Sequence, residues 1–376
     1  MKKISIIGAG NGGMTAAYHL SKIGNSVCIY DSPMFDTQIK AINELGGIEA
    51  VEELHECKMS FSGFEKITKA TTNIEDAVNF SDLLIMICPS FAQEILFKQM
   101  LPHLRDNQTI LLMPGNYGGL VLNKIKNESD RKDLDITFVD AISIPWACRI
   151  IEPGKIAIMG LKEFLPMSIF PYSRLDKIKE QLDNVLPIDI TFLPNPVVAG
   201  LENINFGGHP LLTTLNMGIL ENYDGQFSYY KDCCSTATAN AAAKMDEERL
   251  SVGQAYGFKL KTELEAMNEL YASNYKTVYE FNRASTTHVK ISNSPNSSKA
   301  RYITEDVPYL LVPCYELAKL ANLKLPIVES CIHIASAYND EDYFTTGRTL
   351  EKMGLEGMSV NDIIDYLTGC ERSTTN

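Results

Sequence analysis

The chain has 376 residues, 45% of them hydrophobic and 22% charged, with a net charge of −13 at pH 7. That length corresponds to two domains of about 150 residues or more each, with the composition of an ordered globular protein. The acidic balance argues against a nucleic-acid partner, because neutralising phosphates takes a basic surface. No apolar run approaches the ~20 residues needed to cross a bilayer, so no membrane role is expected.

The apolar start behind Lys2 and Lys3 is too short and too broken by glycine for a signal peptide. Nine scattered cysteines, odd in number and without C-x-x-C, read as reduced thiols, and no metal-ligand spacing is present. The chain is expected to be soluble and cytoplasmic.

The first predicted strand, beginning at Lys3, ends in G-x-G-x-x-G at Gly8, Gly10 and Gly13, and a helical pattern runs from Met14 to Ile23. A second apolar run, 26–30, ends in Asp31. Strand, glycine turn, helix and an acid-tipped second strand form the dinucleotide-binding fingerprint. Gly8 allows the tight turn, Gly10 lets a pyrophosphate reach the backbone, and Gly13 lets helix and strand pack closely. Asn11 and Gly12 lie in the same turn. Asp31 can accept hydrogen bonds from a ribose and would repel a 2′-phosphate, which favours NAD(H). NADP(H) stays open to other residues of the second turn.

Alternating strands and helices continue through the first half. A buried strand over 81–88 ends at Cys88 and Pro89, where such a sheet meets its ligand, and a helix is predicted for 93–104. Further strands are expected at 109–113, 136–140, 156–159 and 188–192, with a helix from Ser173 to Asn184. The stretch Ser143–Arg149 follows one strand and would put Trp146 and Arg149 on the ligand edge.

After Pro194-Asn195-Pro196 the strand signal gives way to helical patterns, at 210–222, 234–256, 262–282, 307–321, 326–338 and 360–368. Ser359 and Asp362 cap the last one and Gly369 stops it. The expected organisation is a dinucleotide-binding domain over 1–196 and a helical substrate domain over 197–376, with a cleft between them. The polar run 292–300 reads as an exposed loop that could move on closure.

Three residues of the helical half carry candidate chemistry. His209, in a loop running into a helix at Pro210, can titrate near neutral pH as a proton carrier must, or can simply cap the helix. Asp306 precedes a helix with Pro308 in its first turn, so an N-cap is the alternative to a catalytic carboxylate. Arg301 is either an anion-binding group or a solvated charge.

Taken in order, the segments G-A-G-N-G-G, P-G-N-Y-G-G (Pro114–Gly119), P-W-A-C-R (Pro145–Arg149), N-x-x-x-H-P (Asn205–Pro210) and R-Y-x-x-E-D-V-P (Arg301–Pro308) resemble the octopine/nopaline (opine) dehydrogenase family. The resemblance covers residues 1 to about 320. It implies a Rossmann-type doubly wound sheet followed by an all-α domain of the 6-phosphogluconate dehydrogenase C-terminal-like kind. It also implies reductive joining of an amino acid to a 2-oxo acid with NADH or NADPH. By the same resemblance His209 matches the catalytic histidine, Asp306 the aspartate paired with it, and Arg301 an arginine near the 2-oxo acid.

Since the product carries two carboxylates, Arg301 and Arg149 are candidates to grip them. Two other functions remain in view: a dehydrogenase of hydroxy or sugar acids using a lysine base, for which Lys244 is the nearest candidate, and an NAD(H)-binding sensor without turnover. The helical half is compatible with a monomer or a homodimer.

Overall fold

The structure is a computed structural model describing residues 1–54, 57–284 and 294–369. Contacts divide it into two units, Met1–Ala199 with Leu367–Gly369, and Gly200–Tyr366.

In the first unit the strands are, in chain order, β1 (Lys3–Ile7), β2 (Ser26–Tyr30), β3 (Gly47–Ala50), β4 (Glu53–Leu54), β5 (Cys57–Lys58), β6 (Gly63–Lys66) and β7 (Lys69–Thr71). They continue as β8 (Leu83–Met86), β9 (Thr109–Leu112), β10 (Thr137–Ala141), β11 (Trp146–Glu152), β12 (Lys155–Leu161), β13 (Phe164–Phe170) and β14 (Asp189–Leu193). The main sheet has the order β14-β13-β10-β9-β8-β1-β2-β7. β1 pairs in parallel with β2 (Ile6 opposite Ile29) and with β8 (Ile6 opposite Ile85). Every residue of β8, β9 and β10 is buried, as expected of parallel strands covered on both faces.

Helices α1 (Asn11–Lys22), α2 (Thr37–Leu45), α3 (Ile74–Phe80), α4 (Ser90–Met100), α5 (Gly118–Asn127) and α6 (Leu175–Leu182) connect these strands. One cluster joins strand residues Leu84, Met86, Ile110, Leu112 and Phe138 to Phe97, Met100 and Leu122 of the helices. The rings of Phe97 and Phe138 meet edge-on at 5.8 Å, a geometry their quadrupoles favour.

Two expectations need correction here. The strand at 156–159 belongs to β12, which lies in a separate four-stranded sheet, β11-β12-β3-β6, rather than in the main one. Residues 146–149, expected to follow a strand of the main sheet on its ligand edge, form the start of β11, antiparallel to β12. Hydrogen bonds from the other sheet's neighbours, rather than the local pattern, decide both. β13 runs antiparallel to β10 and brings β14 to the edge of the main sheet.

The rest of the chain is helical among the described residues: α7 (Pro196–Leu201), α8 (Asn205–Gly208), α9 (Pro210–Leu215), α10 (Met217–Asn222), α11 (Tyr229–Asp232), α12 (Thr236–Ala255), α13 (Glu263–Leu270) and α14 (Val278–Ala284). α15 (Arg301–Thr304), a π turn (Val307–Leu311), α16 (Val312–Leu320), α17 (Pro326–Asn339), α18 (Tyr343–Thr346) and α19 (Val360–Thr368) follow. Ser235 and Thr238 form a capping box at α12, and Ser359 and Asp362 bond reciprocally before α19.

The helix expected over 210–222 is broken at Asn216, whose amide donates to the carbonyls of Leu212 (2.8 Å) and Cys233 (3.1 Å). A side chain that bonds back to its own backbone competes with the helix. The helix expected over 262–282 is two helices. Between them Ala272 adopts φ +47°, and the Asn268 side chain holds Ser273 and both backbone groups of Tyr275.

The exposed loop expected at 292–300 is also revised. Residues 292 and 293 lie outside the described residues, and 294–300 are tied down. Ser294 Oγ accepts from Tyr229 N at 3.1 Å, Asn296 bonds Asp224 at 2.9 Å, and buried Ser298 accepts from Asn339 at 3.0 Å. Polar residues with satisfied hydrogen bonds need no apolar groups to pack.

Candidate active site

In the first unit the glycine turn is shaped by close approach. Gly8 has φ +110°, and a Cβ there would lie 2.4 Å from the Ile87 carbonyl oxygen. A Cβ on Gly13 would fall 1.8 Å from the Gly8 carbonyl oxygen, so only glycine lets α1 cross β1 this closely. Gly10 is different. Its φ is an ordinary −74°, and a Cβ on it would meet nothing within 4 Å, so the protein's own packing does not call for glycine there.

The open space beside Gly10 faces the start of α1, which no side chain caps and whose first turn holds no acid. Uncapped N–H groups and a positive helix end are what a pyrophosphate requires. Asp31 stands beside the turn, accepting from Ala9 N and Ser32 N, both at 2.8 Å. Burial raises its pKa, and these two N–H bonds pull the other way.

The residues present therefore fit a dinucleotide. The Asn11 side chain accepts from Ile150 N at 2.8 Å through its Oδ1 and pins β11 to α1. Gly12 packs against Ile87 and Ile144. Half-buried Cys88 and then Pro89 lead from β8 into α4, where Pro89 is the N-cap.

In the second unit His209 sits between α8 and α9, with Pro210 in the first turn of α9. Its Nδ1 lies 2.8 Å from Asp306 Oδ2, and its Nε2 lies 2.9 Å from the Tyr230 hydroxyl. A carboxylate only accepts, so Nδ1 carries the hydrogen and the neutral ring offers Nε2 as acceptor to the Tyr230 O–H. The Tyr302 ring stacks on the imidazole, with centroids 3.7 Å apart and planes 4° from parallel.

Behind the histidine, buried Tyr229 donates to the His209 carbonyl at 3.0 Å and bonds Thr213 at 2.8 Å. Burial raises the pKa of Asp306 to about 6, against the lowering effect of its hydrogen bond from His209. It carries the pKa of both tyrosines well above 10, so both hydroxyls stay protonated near neutral pH.

Glycine at 207 serves a neighbour. A Cβ on Gly207 would lie 2.4 Å from Glu263 Oε2, so the bare backbone before His209 lets this carboxyl pack against it. Glu263 is 7% exposed, and neither of its oxygens has a hydrogen-bond partner. Burial, reinforced by the charge of Asp246, pushes its pKa up to about 8, so it is mostly a neutral acid at pH 7.

The model of the octopine/nopaline dehydrogenase α-helical domain matches residues 193–339, and that of the NAD-dependent glycerol-3-phosphate dehydrogenase N-terminus matches residues 3–116. An opine dehydrogenase of Arthrobacter sp. is 29% identical over 364 residues, covering 96% of this chain and 98% of the relative. Along nearly its whole length the chain is similar to the opine dehydrogenases, and its helical half matches their α-helical domain. Protein ocs of Agrobacterium tumefaciens is 22% identical over 371 residues, 98% of this chain and 100% of its own length. An octopine dehydrogenase structure in complex with NADH and agmatine shares the fold with a TM-score of 0.76 at 20% identity, covering both chains completely. The chain is an NAD(P)-dependent oxidoreductase acting on a CH–NH group, with NAD(H) favoured.

The other sequence candidates lie elsewhere or have other partners. Arg301, on the turn that carries Tyr302 and Asp306, is largely exposed and paired with buried Glu305. Arg149 belongs to β11 of the first unit, where it is exposed and donates to its neighbour's carbonyl, Cys148 O, at 2.9 Å. Trp146 is a packing residue, 3% exposed, with its N–H donated to His19 Nδ1 at 3.1 Å. Lys244, the base required by a hydroxy-acid dehydrogenase, is exposed on α12 and bonded to Glu247 at 2.7 Å. Sequence reasoning missed Tyr230 and Tyr302. The only signal for Tyr302 was its place inside R-Y-x-x-E-D-V-P.

Proposed function

We propose that the chain joins an amino acid to a 2-oxo acid by NAD(H)-dependent reductive condensation, and runs the reverse oxidation, with His209 as the proton carrier. The observation that carries this reading is the His209–Asp306 bond. It joins two groups 97 residues apart in the chain and gives a buried carboxylate an imidazole as its hydrogen-bond donor.

Attack on the ketone needs a neutral amine, so His209 Nε2 takes the amine proton. Asp306 holds the ring's tautomer and supports the imidazolium that results. His209 then returns that proton to the hydroxyl leaving as water, which produces the C=N bond. The Tyr230 hydroxyl, bonded at Nε2, must give way to the substrate or pass the proton along. Tyr302, stacked flat on the ring, fixes its plane. The reduced nicotinamide, when bound, supplies the hydride that reduces C=N.

Solved octopine dehydrogenase structures hold NADH with L-arginine or with pyruvate. A basic or other amino acid with a short 2-oxo acid is the substrate class proposed here, with Arg301 and Arg149 as carboxylate-binding candidates. The test is NADH oxidation with pyruvate, glyoxylate and 2-oxoglutarate, each paired with the common amino acids. Oxidation must require both partners. Turnover by a 2-oxo acid alone, or none over the whole panel, overturns the reading.

A further inference from the structure

We propose that the ammonium of Lys162 binds an oxyanion of a ligand on the carboxyl edge of the first unit's sheet. The residue follows β12 directly, and its backbone N–H donates to the Pro145 carbonyl at 2.9 Å. Its Nζ donates to Ser143 Oγ at 3.1 Å and to the Ile144 carbonyl at 2.7 Å. Ser143, Ile144 and Pro145 are the loop beyond the carboxyl end of β10, which runs parallel to β9. In open α/β sheets that edge receives the ligand.

The ammonium also neighbours the dinucleotide turn. Ile144 packs against Gly12 in the first turn of α1. The adjoining strand β11 is held to that turn by Asn11, through Ile150 N at 2.8 Å and Cys148 Sγ at 3.4 Å.

Three properties mark Lys162 as awaiting an anion. Two of its three N–H donors are used, and both acceptors are neutral oxygens, so one donor remains. No carboxylate among the described residues pairs with it. The neighbouring group is the Cys148 thiol, which burial raises above its usual pKa and so keeps neutral. Arg249, the comparable buried cation of the second unit, is by contrast held by Asp246 at 2.6 Å. Burial also lowers the Lys162 amine to about 8. A half-buried, unpaired cation is costly to keep, and a bound carboxylate or phosphate removes that cost. In a chain of net charge −13, a local positive group also counters the general repulsion of an anionic ligand.

The oxyanion has two sources, a substrate carboxylate or the dinucleotide's phosphates, and only the choice between them rests on the proposed function. The experiment uses the full chain with Lys162→Met and Lys162→Gln, checked for an unchanged melting temperature. NADH affinity is measured by fluorescence titration, and pyruvate affinity by its effect on the NADH-bound protein. Both variants are expected to weaken one of the two by about tenfold or more, and Lys162→Arg to recover most of it. Loss at the NADH stage assigns the phosphates, and loss at the pyruvate stage the carboxylate. Both dissociation constants staying within twofold in a folded variant overturns the proposal. These are equilibrium readouts, so they hold whether or not His209 proves to move the proton.

Discussion

Asp306 opens a helical turn at a position where a carboxylate ordinarily caps backbone N–H groups, yet no such cap forms and its Oδ2 lies 2.8 Å from His209 Nδ1. The π turn that begins at Val307 follows immediately. Such turns are frequent at functional sites because they re-aim a side chain without ending the helix. The carboxylate serves the imidazole instead of its own backbone.

Replacing Asp306 by Asn is therefore expected to leave the fold largely intact and to disable the ring. The amide offers an N–H where an acceptor is needed, and the imidazolium loses its counter-charge. Turnover should fall by about 10²–10⁴ while NADH affinity, measured by titration, stays within a few-fold. A variant with near-normal turnover would remove Asp306 from the chemistry.

Tyr230→Phe deletes the O–H on Nε2 together with its hydrogen bond to Tyr302. We expect kcat to fall roughly tenfold, with a stability loss of about 1 kcal/mol or less. If the hydroxyl relays the proton, kcat falls. If it only occupies the nitrogen between turnovers, kcat holds or rises. Steady-state kinetics across pH separates these outcomes.

The glycine turn supplies an internal contrast. Gly10→Ala should fold as well as the parent, since its Cβ meets nothing, but should weaken NADH binding by about tenfold, because the methyl enters the ligand's space. Gly13→Ala, with a Cβ 1.8 Å from a backbone oxygen, should destabilise by about 3 kcal/mol or fail to fold. Thermal melts and NADH titrations of the two variants decide this, and equal melting temperatures would contradict the packing described.

Glu263 gives the pH prediction. Its pKa is about 8 in the folded chain against an ordinary 4.5, so the folded state holds the proton that the unfolded state releases. Its contribution to stability is complete below pH 4.5 and disappears as pH rises through 8. Urea unfolding at pH 7 and pH 9 should show the parent losing ground to Glu263→Gln over that interval. A constant difference would mean the carboxyl is solvated.

The dinucleotide turn was legible because its requirements are local: Gly8, Gly10 and Gly13 lie within six residues, and the flanking strands are buried on both faces and read as apolar runs. β3 and β6 were missed because both are only four residues long, β6 is mostly exposed, and they acquire strand form only in a second sheet. The pairing of His209 with Asp306 was named by family resemblance. The local chemistry of Asp306 pointed equally to a cap, since nothing near residue 306 announces an imidazole that the chain returns from residue 209. Tyr230 and Tyr302 carry no periodic signal at all, and their role depends on where rings meet in space. Lys244 looks available in the sequence because a lysine's neighbours there do not show that Glu247, one turn away, holds its ammonium.

Tyr302, in α15, and Asp306, just before the π turn, stand four residues apart, so the ring covering the imidazole and the carboxylate holding it come from one short stretch of backbone. A shift of that stretch by an ångström displaces the stacking face and the hydrogen-bond acceptor of His209 together. The plane and the tautomer of this histidine are therefore set by one mechanical variable, and a substitution within 301–311 that moves one partner is expected to move the other.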